Sequence, residues 1–353
     1  MVCIAAFIIL VLVGIAAALI SIFNRDFGKK YLAALKKSFH CFGKRIRLQK
    51  CDTNFSDDVK TTLLKKVIIK KPKLVKPLSV GIEIASALLV ILTVWSIIEA
   101  AKAGLALWVF GTCNVSQPSS CALGADSCSI NEDNLNWFTE WGEIFSNIPD
   151  RVRHWNAGDY INTDGSSVSD KLTPVLVVGS GSDTMLEIID PGCAVCLQSY
   201  KNILSNTEFL NKHTVYFVAY PIRNTDGNLR FKNSELITRY LLATSGVTVG
   251  DDAVAVSEKI LSRIFTEYSP EGIIYQNVFN EQLGREGATA MLDGWLVEWG
   301  ITGDALENIK TDTYSETIEQ QLRTDSDVIS SQIKPKGIPT AIYDGKKHLG
   351  LFK

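Results

Sequence analysis

Two cysteines near the middle of the chain, Cys193 and Cys196, have the spacing of a redox-active dithiol. The segment Cys193-Ala194-Val195-Cys196 follows an apolar run typical of a buried strand and precedes a run typical of a helix. The N-terminus of a helix carries partial positive charge and free N–H groups, so it stabilises a thiolate and lowers the pKa of the first cysteine. We therefore predict that Cys193 is the exposed nucleophile and that Cys196 is the buried thiol that resolves a mixed disulfide.

The same spacing also occurs in half of a zinc site and in plain structural disulfides. Zinc would need further ligands, but no cysteine follows Cys196, and only His213 and His348 lie beyond it. A disulfide across a two-residue loop at a helix start is strained and easily reduced, so it would be a poor structural crosslink. Both alternatives stay open, but the pattern favours redox chemistry with no metal and no cofactor.

The segments around this pair predict an α/β domain with a mixed sheet. A helix is expected directly after the pair, and residues 224–333 have mostly helical patterns without a convincing strand. Residues 337–353 predict a hairpin with a tight turn at Asp344-Gly345. Three earlier segments are predicted as strands: 172–180, 184–190 and 213–223.

Residues 185–196, MLEIIDPGCAVC, resemble the strand-to-CxxC segment of DsbA-family thiol-disulfide oxidoreductases, which have a thioredoxin fold. In that family an acidic residue lies six positions before the first active cysteine, and Glu187 holds this position. Gly337-Ile338-Pro339-Thr340 resembles the family's cis-proline loop, and the helical insertion is also a family feature. The resemblance covers roughly residues 170–353.

The resemblance implies a role for each of these residues. Glu187, buried beneath the pair, would have a raised pKa and would accept or relay the proton of Cys196. Pro339 in cis would present the backbone of Ile338 for antiparallel pairing with a bound peptide beside Cys193, unless it forms only an ordinary X-Pro turn. The predicted catalytic residues are therefore Cys193, Cys196, Glu187 and Pro339, with Ile338 and Pro339 in the substrate-binding surface.

Two features depart from the family pattern. Ala194-Val195 replaces the Pro-His dipeptide of strongly oxidising members, so no imidazole stabilises the thiolate and a less oxidising potential is expected. The family usually adds a packing helix after the last strand, whereas Lys353 follows it directly. Asp190 could tune the nearby thiol, although Asp-Pro-Gly is also a common turn former.

Two apolar segments predict membrane-spanning helices, which need about 20 apolar residues. Residues 2–23 carry no charge, and residues 78–98 carry only Glu83. A cleaved signal peptide is the alternative for the first segment, but the sequence before it supplies no basic residue. The loop between them, 24–77, has sixteen Lys or Arg against four Asp, which predicts a cytoplasmic loop with both termini outside.

Three regions follow from these patterns. Residues 1–110 form the predicted membrane anchor, 111–170 a cysteine-containing linker and lead-in, and 171–353 a thioredoxin-like domain with its helical insertion at about 224–333. The linker cysteines are expected to form one structural disulfide and to leave one thiol over, because three cysteines are an incomplete zinc set. They are Cys113, Cys121 and Cys128.

The predicted function is thiol-disulfide exchange with exported proteins on the extracytoplasmic side of the cell membrane, with oxidative folding favoured. A separate membrane partner would re-oxidise the pair. A reductase or isomerase is one alternative, because direction depends on potential, and a non-catalytic membrane-tethered binding module is another. The formal net charge of −2 and the lack of interleaved aromatics in the basic loop predict no nucleic-acid partner. Cys41 and Cys51 receive no assignment.

Overall fold

A computed structural model describes residues 72–118, 126–130, 135–162, 171–224 and 226–353, with single positions 36, 40, 61, 64, 65 and 69. The predicted first membrane segment and most of the basic loop, including Cys41 and Cys51, lie outside the described residues, as does Cys121. The chain divides into two units, Met1–Ala101 and Lys102–Lys353.

Helix α1, Val75–Phe110, follows a 3-10 turn at Pro72–Leu74. Its apolar side chains are largely exposed, for example Leu92 and Ile97, and by length and composition this helix could cross a membrane. It is longer than the predicted 78–98 because the apolar run that follows continues as helix. Among the described residues it is the one helix of this kind, so a two-pass anchor stays a prediction.

The second unit contains a mixed sheet. Its strands, together with shorter ones outside it, are β1 (Cys128–Ser129), β2 (Leu176–Val178), β3 (Asp183–Ile189), β4 (His213–Ala219), β5 (Thr248–Val249), β6 (Val254–Ala255), β7 (Gly337–Ile338), β8 (Thr340–Tyr343) and β9 (Lys346–Leu349). The main sheet has five strands in the order β2-β4-β3-β8-β9. Strands β3 and β4 are parallel, and the other neighbours are antiparallel. Strand β1 pairs with β7 outside this sheet. The topology is thioredoxin-like, in agreement with the predicted mixed α/β class.

Helices cover the sheet and form most of the insertion. They are α2 (Trp137–Ser146), α3 (Ile148–Val152), α4 (Ala194–Ser205), α5 (Thr207–Lys212), α6 (Ser234–Thr244), α7 (Val256–Thr266), α8 (Arg285–Glu298), α9 (Asp304–Thr313) and α10 (Glu316–Val328). Shorter helical turns are Ala157–Asp159, Tyr275–Asn277, Val278–Gln282 and Ile329–Ile333. Tyr200 of α4 packs edge-on against Phe217 of β4 and Phe265 of α7, with ring centroids 5.5 and 5.3 Å apart.

Strand β3 is the central strand that leads into the cysteine motif. Its last five residues, Met185 to Ile189, are fully buried, because the strand has a neighbour on each side and helices on the faces of the sheet. The predicted strand 213–223 is shorter, since β4 ends at Ala219 and Pro221 has no N–H for a ladder. The sequence does not predict the hairpin β5–β6 in the insertion, because strands of two residues are too short to show an alternation of apolar and polar side chains.

The predicted C-terminal hairpin is confirmed. Strands β8 and β9 pair antiparallel, and Asp344 and Gly345 both have positive φ angles, 47° and 74°, as a two-residue hairpin turn of this type requires. The hairpin places β8 beside β3, so that Ala341 faces Glu187 in register. The residues just before β8 therefore lie next to the end of β3, where the cysteine motif begins.

Candidate redox site

Cys193 is the N-cap residue of α4. Its own N–H donates to the carbonyl of Asp190 at 3.0 Å, which closes the turn between β3 and α4. Gly192 lies so close to the insertion that a Cβ at this position would clash with the side chain of Phe231. The start of α4 is thus fixed against both the sheet and the insertion. Cys193 is fully buried, so the prediction that it is exposed is wrong, because a disulfide to Cys128 holds another segment of the chain against its sulfur.

Asp190 holds this turn in shape. One carboxylate oxygen accepts the N–H of Gly192 and the other accepts the N–H of Ile222, both at 2.7 Å. Burial raises the pKa of Asp190 to about 6, and these backbone hydrogen bonds oppose the rise. The side chain therefore forms the turn and also places an ionisable acid beside the cysteines.

Two amides from the insertion support the same loop. The Nε2 of Gln276 donates to the carbonyls of Pro191 and Cys193, at 2.8 and 3.1 Å. Asn280 donates through Nδ2 to the carbonyl of Gly192 at 2.8 Å. No sequence pattern indicates these residues, because they lie more than eighty residues after the motif in a helical region without a known signature.

Cys196 is a free and fully buried thiol one turn into α4. The N–H of Asp190 donates to its Sγ at 3.4 Å. Burial raises the pKa of Cys196 well above its ordinary value, and the negative charges of Asp190 and Glu187 raise it further. Among the described cysteines, this thiol is the one without a disulfide partner.

Glu187 is buried in the centre of β3, near Cys196. Its Oε1 accepts a hydrogen bond from Oγ of Ser199 at 2.7 Å, while its Oε2 is buried without a partner. Burial raises the pKa of Glu187 to about 8, against the lowering effect of Ser199. The carboxyl group is therefore mostly protonated at neutral pH and can exchange a proton near pH 8.

The disulfide at this site differs from the predicted pair. Cys193 is bonded to Cys128 of the linker, 65 residues earlier in the chain, and not to Cys196. The sequence could not reveal this because disulfide connectivity does not follow from spacing. Cys113, the first linker cysteine, is also disulfide-bonded.

The Ile338–Pro339 peptide bond is cis, as predicted from the resemblance. The carbonyl oxygen of Ile338 lies 3.8 Å from Sγ of Cys193. Strand β7 pairs antiparallel with β1, so that Cys128 faces Ile338 and Ser129 faces Gly337. The backbone of Ile338 thus pairs with an extended segment beside Cys193, and the segment is part of the chain itself.

Further contacts hold this segment, residues 126–130. The N–H of Ile130 donates to the carbonyl of Lys336 at 3.4 Å, and the N–H of Leu351 donates to the carbonyl of Asp126 at 2.9 Å. Arg230, from the region after β4, donates to the carbonyl of Ser129. The segment is therefore bound through its backbone on both sides of Cys128.

One other cluster has the residue types of a metal site. Asp183, His213 and Asp344 bring their ligand atoms within 4.8 Å of one another at the start of β3, the end opposite the cysteines. Nζ of Lys212 lies 3.6 Å from Asp183 and 3.5 Å from Asp344, so it already neutralises part of the acidic charge. The cluster is an ion-paired contact between β3, β4 and the β8–β9 turn.

The fold and the site together define a thioredoxin-like domain with a disulfide-bonded cysteine at the start of α4. No protein-family model matches the sequence, and no curated protein matches it. Similar solved structures include the thiol-disulfide exchange protein alpha-DsbA2 from Wolbachia pipientis, with 15% identity and a TM-score of 0.35 over 50% of this chain and 80% of that one.

Two further structures are of the same kind. A thioredoxin-like oxidoreductase from Silicibacter pomeroyi has 13% identity and a TM-score of 0.34, over 50% of this chain and 84% of that one. The oxidoreductase DsbA from Xylella fastidiosa has 14% identity and a TM-score of 0.31, over 48% and 76%. All three neighbours are thiol-disulfide oxidoreductases or thioredoxin-like oxidoreductases.

Proposed function

We propose that this chain is a membrane-anchored thiol-disulfide oxidoreductase in which Cys193 is the nucleophile and Cys196 the resolving thiol. One observation carries the proposal: Cys193 is disulfide-bonded to an extended segment paired with Ile338, while Cys196 remains a thiol one turn away. A mixed disulfide between enzyme and substrate needs the same arrangement: a nucleophilic cysteine bonded to the substrate, a substrate backbone paired beside it, and a free thiol nearby that can resolve the bond.

The chemistry is an exchange of disulfides with no cofactor. In the oxidising direction, a substrate thiolate attacks Sγ of Cys193 in a Cys193–Cys196 disulfide, and Cys196 leaves and takes up a proton. A second substrate thiolate then attacks the substrate sulfur of the mixed disulfide, and Cys193 leaves as a thiolate at the start of α4. Two electrons have then passed from the substrate to the enzyme, Cys196 carries one proton, Cys193 is a thiolate, and the other proton of the substrate dithiol has gone to solvent.

Glu187 fits the role of the proton donor to Cys196. A buried thiol with a raised pKa needs a proton when it leaves, and Glu187 is mostly protonated at neutral pH because its pKa is about 8. In the reverse direction the carboxylate takes that proton back. Pro339 and Ile338 form the surface that pairs with the substrate backbone beside Cys193.

The proposed partners are exported proteins with thiols or disulfides, a membrane redox partner that re-oxidises the pair, and the bilayer around α1. The proposed location is the cell membrane, with two passes and the redox domain on the extracytoplasmic side. Oxidative folding is the favoured direction, and a reductase or isomerase is the alternative, because Ala194-Val195 supplies no imidazole to stabilise the thiolate.

The test uses the full chain in detergent with a fluorescent peptide that carries two cysteines. Cys193→Ser is expected to abolish turnover. Cys196→Ser combined with Cys128→Ser, which leaves Cys193 as a free thiol, is expected to attack a peptide disulfide and then accumulate a mixed disulfide that mass spectrometry detects. Cys41→Ser, the same chemical change in the basic loop, is the matched control. Binding of the peptide by the wild-type chain without turnover would favour the non-catalytic binding module, and turnover that survives Cys193→Ser would contradict Cys193 as the nucleophile.

Direction is measured separately in Cys128→Ser, in which Cys193 can pair only with Cys196, by equilibration in glutathione buffers with thiol trapping. A potential near about −120 mV would support an oxidase, and one near about −270 mV a reductant. A Cys193–Cys196 disulfide with a reduction potential below about −300 mV would be a structural disulfide, and this result would overturn the proposal.

A further inference from the structure

We propose that residues 126–130 are a tethered pseudo-substrate: they occupy the peptide-binding groove, and Cys128 is a third redox cysteine that holds Cys193 in an internal mixed disulfide. The inference rests on the proposed function and adds a resting state and a substrate class to it. It starts from the pairing of β1 with β7 and from the Cys128–Cys193 bond.

The segment is bound as an extended peptide would be. Its backbone pairs antiparallel with Gly337 and Ile338, which is the mode of strand addition to an exposed edge. Gly337 makes this approach feasible, because a Cβ there would lie 2.8 Å from Oγ of Ser127 and 3.0 Å from the carbonyl oxygen of Cys128. A second peptide cannot pair with the same two residues while this segment is in place.

The groove also indicates which peptides it accepts. Ser129, the residue after the cysteine, is fully buried, and Arg230 donates to its carbonyl. A large side chain at that position would have no space. The substrate class is therefore an extended, unfolded segment in which a small residue follows the cysteine, bound mainly through its backbone.

Release from the resting state needs no outside oxidant or reductant. The thiolate of Cys196 attacks Sγ of Cys193, the Cys193–Cys196 bond forms, and the Cys128–Cys193 bond breaks. Cys128 leaves as a thiolate and takes up the proton that Cys196 gave up. One disulfide and one thiol are present before and after, so the step only changes the partner of Cys193.

Tethering gives the segment an advantage over free substrates. A group tethered to its site within the same chain reaches an effective concentration of up to about 1 mM. A substrate at about 10 μM would compete against a concentration about 100 times higher, even before the covalent bond is counted. The wild-type chain should therefore react slowly with dilute peptides, and removal of Cys128 should relieve this.

The first measurement maps the disulfides of the full chain, purified in detergent, after an acid quench and alkylation of free thiols. The expected result is a Cys128–Cys193 crosslink with alkylated Cys196. A Cys193–Cys196 crosslink with alkylated Cys128 would overturn the proposal.

The second measurement compares Cys128→Ser with wild type and with Cys41→Ser in the reaction with about 10 μM fluorescent peptide. We expect Cys128→Ser to react at least about tenfold faster, and Cys41→Ser to match wild type. Equal rates for wild type and Cys128→Ser would refute the pseudo-substrate if Cys193→Ser is inactive. If the proposed function itself is wrong, the result will be different: the activity will not depend on Cys193.

A third variant keeps all cysteines and guards against a folding defect in Cys128→Ser. Arg230→Gln removes the charged donor from the carbonyl of Ser129. The trapped population should shift from Cys128–Cys193 towards Cys193–Cys196 as the segment is held less firmly. An unchanged distribution in Arg230→Gln, together with an unchanged rate in Cys128→Ser, would also reject the proposal.

Discussion

Replacement of Glu187 by glutamine should make the folded chain less sensitive to alkaline pH. In the folded chain burial raises the pKa of Glu187 from an ordinary value of 4.5 to about 8. Below about pH 4.5 the carboxyl group is protonated in both the folded and the unfolded chain, so it carries no penalty. As pH rises towards 8, the unfolded chain releases this proton first, and the free energy of unfolding falls.

The size of the effect follows from the two pKa values. Each pKa unit corresponds to about 1.4 kcal/mol, and pH 7 lies about 2.5 units above the ordinary value, so Glu187 lowers the free energy of unfolding by about 3 kcal/mol at pH 7. At pH 5 the loss is only about 1 kcal/mol. The amide introduced by Glu187→Gln cannot ionise, and any cost of leaving it unpaired is the same at every pH.

The assay is urea unfolding of the full chain in detergent, followed by tryptophan fluorescence at about pH 5, 7 and 8, with all variants in the same disulfide state. Relative to wild type, Glu187→Gln should gain about 3 kcal/mol between pH 5 and pH 8. Glu208→Gln, the same change on an exposed residue of α5, is the control. Identical pH profiles for wild type and Glu187→Gln would refute the reasoning, because Glu187 would then titrate as in the unfolded chain.

Two other substitutions test contacts at the site. Gly337→Ala should lower the share of chains with disulfide-bonded Cys128 by about tenfold, because the new Cβ would crowd Ser127 and the backbone of Cys128; an unchanged disulfide map would show that the segment does not need this close approach. Gln276→Ala should destabilise the domain by about 1–3 kcal/mol, since two buried carbonyls lose their donor. Urea unfolding measures it against Gln282→Ala on the exposed surface, and equal stabilities would contradict it.

Local signals in the sequence located much of the site. The cysteine spacing at a helix start and the Asp-Gly turn each depend on a few neighbouring residues, so their patterns can be read directly. The roles expected of Glu187 and of the Ile338–Pro339 loop came instead from the resemblance of their segments to the DsbA family. The structure brings Cys193, Cys196, Glu187 and Ile338 together at one end of the sheet.

The parts that the sequence did not reveal depend on distant contacts. The pairing of Cys128 with Cys193 joins residues 65 positions apart, and β1 is only two residues long, too short for any alternation to show. Gln276 and Arg230 act through backbone carbonyls of other segments, and such contacts leave no mark on local composition. These features follow only once the sheet and the insertion are assembled.

The separation of Cys193 from Ile338, 145 residues, sets the order in which the chain can acquire its site. At a synthesis rate of about 5–20 residues per second, about 7 to 30 seconds pass between the two. During this interval the three cysteines Cys128, Cys193 and Cys196 already exist, but strand β7, which pairs with the segment around Cys128, does not. Contacts at such long range also form late in folding. The nascent chain must therefore avoid non-native disulfides of these three cysteines until its last two strands join the sheet.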